Sequence, residues 1–191
     1  MGDGLKFLVK LLYAPGSRGQ KAEAIRGTTR LEKLAFLAGR EFDVPTSYSF
    51  EAYDYGPWSS DVVDDADALR SSKLIEIIEE PLVLSYQEGD DIVTEDQLPD
   101  RSDFGESFGG KLRTYRLTTL GEAAASKLWD QTPQSERDQI SRLKRTYNAI
   151  PLTDLLRHVY GKYPEMAKKS KIAASLSRRG SRPWLRAQRT D

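Results

Sequence analysis

The sequence predicts an α+β chain, mostly helical, with a small antiparallel hairpin among the helices and a helical extension after it. Three observations carry this. Apolar residues recur at helical spacing in several separate stretches, residues 48–54 and 112–117 alternate as strands do, and Gly-Pro or Pro steps divide one pattern from the next.

Leu5, Leu8, Leu11 and Leu12 form the first helical stripe, and Ala14-Pro15-Gly16 stops it. A loop runs to about Gly27. Thr29 with Glu32 three residues later is a capping-box pattern, and Leu31, Leu34, Ala35 and Ala38 give a second helix that ends near Phe42. After Pro45, Tyr48, Phe50, Ala52 and Asp54 alternate with Ser49, Glu51 and Tyr53, and Gly56-Pro57 is expected to end this extended piece. Ser59 or Ser60 then caps a third helix with Val62, Val63, Ala66 and Leu69 inward, ending near Ser72. Residues 74–78 and 82–86, around Pro81, should pair with residues 112–117 as a hairpin whose long tip, about 87–110, is rich in glycine and acid. Thr118 to Glu122 starts another helix that should turn Ala123, Ala124, Leu128 and Trp129 inward. Pro133 breaks it, and helices over 134–148 and 152–160 follow.

At 191 residues the chain is long enough for one domain with extensions, which we divide as 1–130, 131–165 and a basic tail, 166–191. Cysteine is absent, so disulfides, thiolate catalysis and thiolate metal sites are excluded. The apolar run at residues 5–13 is broken by lysines, and the expectation is a cytoplasmic protein with no membrane contact. Net charge is zero, yet residues 76–106 hold eleven acids against Arg101, whereas residues 162–191 hold nine bases against Glu165 and Asp191. Such blocks attract each other or serve different partners, and composition does not choose.

Helix, helix, extended segment, helix and a two- or three-stranded wing, closed by Tyr115-Arg116-Leu117-Thr118 and Gly121, resemble a winged helix-turn-helix domain. Leu31-Glu32-Lys33-Leu34 with Phe50-Glu51-Ala52-Tyr53-Asp54-Tyr55-Gly56-Pro57 resembles the Panacea (SocA-like) antitoxin domains and their prokaryotic relatives. That resemblance covers about a quarter of the chain. It implies a binding module without catalysis that grips a protein partner, such as a toxin or a defence-system component.

In a winged helix that reads DNA, the third helix enters the major groove and needs bases and amides on its outer face. Here Asp61, Asp64, Asp65 and Asp67 lie off the apolar stripe, with Arg70 opposing them. Groove insertion would be electrostatically unfavourable. The aspartates suit the helix dipole, at about 0.3–1 kcal/mol each, or an acidic surface for a partner. The candidate partner-binding residues are Tyr53, Asp54, Tyr55, Pro57, Trp58, Asp61, Asp64 and Asp65, the aromatics being either core or interface anchors. Arg178, Arg179, Arg182, Trp184, Arg186 and Arg189 have the composition that grips phosphates and stacks on bases, and equally that of a solvated terminus. A DNA-binding regulator, as a homodimer, is therefore the alternative. The single histidine, His158, follows Asp154 by four residues and reads as a surface pair. No nucleophile motif, phosphate loop, metal set or cofactor motif stands out, so no catalytic role is expected.

Overall fold

The computed structural model describes residues 2–81 and 111–177. The amphipathic first helix, α1 (Asp3–Tyr13), buries Phe7, Leu8, Leu11 and Leu12, and a loop returns the chain to the short strand β1 (Ile25–Arg26). The second helix, α2 (Thr28–Glu41), lies at the centre and is buried all round from Thr28 to Ala38. Next come a tight hairpin, β2 (Glu51–Tyr53) and β3 (Gly56–Trp58), and helix α3 (Ser60–Ser71). Strands β4 (Ile75–Pro81) and β5 (Lys111–Leu117) lead into α4 (Thr119–Gln131). The C-terminal part contains α5 (Gln134–Tyr147), α6 (Leu152–Lys162), the single turn α7 (Pro164–Ala167) and α8 (Ala173–Ser177).

Strands β1, β5 and β4 form an antiparallel sheet in that order, with Ile25 opposite Tyr115 and Ile77 opposite Tyr115 on the other side. The inward face of this sheet, Ile75, Ile77, Tyr115 and Leu117, joins the core made by α1 and α2. One apolar cluster continues from there through Leu143, Leu155, Leu156 and Val159, so α5 and α6 share the core of the N-terminal helices. Among the described residues no helix is long and apolar enough to cross a membrane.

Several local expectations change. Strand β1 falls in what the sequence presents as loop, because two residues carry no periodicity and only the pairing with β5 defines them. The capping box at Thr29 and Glu32 does not form. The helix starts two residues earlier behind Gly27, whose φ of 93° suits glycine, and Thr28 spends its hydroxyl on Tyr115, 2.6 Å away. Gly56-Pro57 does not end the extended segment: it forms β3, folded back on β2 through a two-residue turn at Asp54-Tyr55. Ser59 occupies the N-cap position of α3 but makes no capping hydrogen bond with its side chain. Thr118 does cap α4, accepting from the Gly121 N–H at 3.0 Å. In α4 the buried alanine is Ala125 and not Ala123, which is exposed, because Trp129 and Ala125 share a face at a spacing of four. The expected strand at 82–86, the acidic tip at 87–110 and the tail residues 178–191 lie outside the described residues.

Candidate partner-binding surface

The β2–β3 hairpin is fastened from three sides. From below, Lys33 of α2 donates to the Pro57 carbonyl at 2.9 Å and lies 3.3 Å from the Glu32 carboxylate. Both charged side chains are almost wholly buried, which is tolerable only because they face each other and a backbone acceptor. From the side, the ring of Tyr160 on α6 lies against the Cα of Gly56, the second glycine whose φ, again 93°, is positive for a reason. Burial pushes the Tyr160 hydroxyl up to about 12, and its partner is the Ser170 hydroxyl at 2.9 Å. From the C-terminal segment, the Lys171 N–H donates to the Asp54 carbonyl at 2.9 Å while its ammonium meets the Asp54 carboxylate at 2.7 Å. Hydrogen bonding to that carboxylate holds the ammonium above its ordinary value.

This explains the unequal fates of the candidate residues. Pro57 is buried, so its expected role at the surface is corrected: it presents a carbonyl to Lys33 and no face to a partner. Tyr55 packs on the core and is half-buried, and burial raises its hydroxyl. Asp54 is half-buried and occupied by Lys171. Tyr53 and Trp58 stand beside each other across the hairpin, ring centroids 5.6 Å apart and tilted by 35°, each half-buried. They border a narrow cleft floored by Thr28, Thr29, Glu32 and Lys33.

Helix α3 begins directly after this hairpin. It turns Val62, Ala66 and Leu69 into the core, and Asp61, Asp64 and Asp67 are exposed. Asp65 departs from the group: half-buried, it accepts from the Tyr48 hydroxyl at 2.8 Å. Burial and that carboxylate push the Tyr48 hydroxyl far above the ordinary tyrosine range. Arg70 is exposed in the last turn of the same helix.

The bases on the three-stranded sheet meet acids of the same sheet. Lys111 and Arg113 both reach Glu79 at 3.1 Å, Arg116 holds Glu76, and Arg26 lies 4.0 Å from Glu80. The hydrogen bond from Lys111, with the charges of Arg113 and Lys111, outweighs desolvation and holds the Glu79 carboxyl below its usual range.

A second polar cluster joins α2, α5 and α6. His158 does not pair with Asp154, which instead binds Arg157 at 2.6 Å; its Nε2 lies 2.8 Å from Glu41 and 2.9 Å from the Tyr147 hydroxyl. A surface pair at a spacing of four was expected, but the packing of α6 on α2 turns the imidazole inward. Burial alone would raise the Glu41 carboxyl, but His158 and Lys162 outweigh it and hold the group below its usual value. The cluster ties the C-terminus of α2 to the helical extension. Sequence spacing gave no signal for it, since Glu41 and His158 are 117 positions apart.

Among the described residues no group of three or more acidic or histidine side chains is placed to hold a metal ion. The basic tail residues named above, Arg178 to Arg189 with Trp184, lie outside the described residues. No known protein family, curated protein or solved structure matches this chain.

Proposed function

We propose that the chain is a non-enzymatic winged-helix module that grips a protein partner, as an antitoxin-like or adaptor component. The order α1, β1, α2, the β2–β3 hairpin, α3, β4, β5, with the sheet order β1-β5-β4, supports the winged-helix part of this reading. In that arrangement α3 is the helix offered to a ligand. The observation that carries the reading is its outward face: Asp61, Asp64 and Asp67 are solvent-exposed on the helix that directly follows the paired rings of Tyr53 and Trp58. Phosphate backbones would be repelled by such a face, whereas a basic protein surface with an apolar notch complements it. The sheet argues in the same direction, because Arg26 of β1 and Arg113 and Arg116 of β5 are engaged by Glu76, Glu79 and Glu80 of β4.

The test uses the full chain, with a cross-linker placed at Asp64→Cys, captured from a lysate of its own source and identified by mass spectrometry. A single dominant protein should be recovered, with binding that weakens as salt rises and is lost in Trp58→Ala and in Asp61→Lys/Asp64→Lys. Recovery of nucleic acid instead, with a gel shift that survives the lysine substitutions, would replace this reading with a DNA-binding regulator acting through the tail.

A further inference from the structure

A buried polar knot lies on the other side of the molecule, between the end of α1, the loop at residues 14–24 and α5. Lys144 is wholly buried, and its ammonium nitrogen has one acceptor among the described residues, the Leu12 carbonyl at 2.7 Å. Beside it, Asn148 donates to Glu23 Oε1 at 2.8 Å and to the Ala24 carbonyl at 3.1 Å. Glu23 Oε2 and Asn148 Oδ1 are buried with no hydrogen-bond partner among the described residues. The loop is folded on itself so closely at this point that a Cβ on Gly16 would collide with the Glu23 carboxylate.

An ammonium has three protons to place, and one acceptor is in reach, so the neutral amine fits this site better. Burial pulls Lys144 down from its ordinary 10.5 to about 7, with Glu23 pulling the other way. The other charged groups on the elements around α5 are engaged locally. Lys10 of α1 pairs with Glu136, Lys21 of the loop lies over the Tyr13 ring, and Arg30 of α2 binds the Tyr147 and Ile150 carbonyls. On the same sides, Glu41 binds His158, Asp154 binds Arg157, and Arg18 is exposed in the loop.

The cover over the knot is the least regular of its walls. Its own hydrogen bonds are few, running from the N–H groups of Gly16, Gly19 and Ala22 to Gln20, Gly16 and Tyr13. Ala22 sits at a φ of 58°, a conformation that costs free energy in a residue with a Cβ. We propose that residues 14–24 form a proton-gated flap, shut over neutral Lys144 and released as Lys144 takes up a proton and must be hydrated.

The direction follows from linkage. With the flap open Lys144 titrates at its solvated value, and with it shut near 7, so between these limits each unit fall in pH favours opening about tenfold. Below about 7 both forms are protonated and the effect levels off.

Amide exchange of Gly16 and Ala22, divided by their intrinsic rates, reads the opening directly in the full chain. Protection should climb about tenfold per unit from pH 7 to 9 in the native protein and stay flat in Lys144→Met. A flat native profile, or a climb that persists in Lys144→Met, would overturn the proposal. Should that variant not fold, Glu23→Gln keeps the hydrogen bond from Asn148 but removes the charge that draws the proton, so its climb must begin below pH 7. An unchanged onset there would equally overturn it.

Discussion

Replacing Gly56 by alanine tests the way the hairpin is held. The substitution meets two obstacles. A φ of 93° is open to glycine and disfavours an L-residue by roughly 1–2 kcal/mol. The new Cβ would also stand 2.7 Å from Tyr160 Cε1 and 3.5 Å from Lys33 Cε, so the tyrosine ring must shift within a packed site, at about 1–3 kcal/mol. Together these predict a loss of about 2–5 kcal/mol, measured as the shift of the urea midpoint at constant slope. The two contributions separate in a double-mutant cycle. Against Tyr160→Ala the steric part vanishes, so Gly56→Ala should then lose only about 1–2 kcal/mol, the part due to φ. Against Tyr160→Phe, which keeps the ring and gives up only the bond to Ser170, the full loss should remain. Gly161 is the internal control: an added Cβ meets nothing within 4 Å on α6, so Gly161→Ala should stabilise by about 0.5–1 kcal/mol. A loss below about 1 kcal/mol for Gly56→Ala, or the same loss with and without the Tyr160 ring, would refute the clamp.

Two further outcomes are expected. Thr118→Ala removes the cap on Gly121 and the hydroxyl bond to the Lys73 carbonyl, so stability should fall by about 1–2 kcal/mol in urea titration. The Glu41 carboxyl is held below its ordinary 4.5, so its contribution is complete above that value and disappears as pH falls through the lowered one. Glu41→Gln should therefore lose about 1–3 kcal/mol at pH 7 and show a shallower acid limb below pH 4.5 in thermal unfolding, with equal acid limbs as the refuting result.

Helices were legible because their signals are local. Within each of the stripes through Leu8, Leu34, Leu69 and Leu155 the apolar residues follow one another within about a turn, and Pro133 and Thr118 mark ends by their own backbone chemistry. Strand β5 was equally plain, since Leu112, Tyr115 and Leu117 occupy the buried positions of an otherwise polar run. The hairpin was half legible: the alternation before Gly56-Pro57 marks an extended segment, but its folding back depends on Lys33, Tyr160 and Lys171, which come from three distant parts of the chain.

The sequence by itself determined that this is a cysteine-free, largely helical chain with an acidic third helix, since composition and short periods settle those matters. Tertiary structure alone decided which charges are spent inside. Lys33 under Pro57, Lys144 under Leu12, and His158 against Glu41 look like ordinary surface residues in a one-dimensional reading, because a helix position is exposed or buried only once another helix covers it. The physical reason is range: helix propensity and capping act over about four residues, whereas burial of a charge is decided by partners far along the chain, 24 positions away for Lys33 and Pro57 and 132 for Leu12 and Lys144.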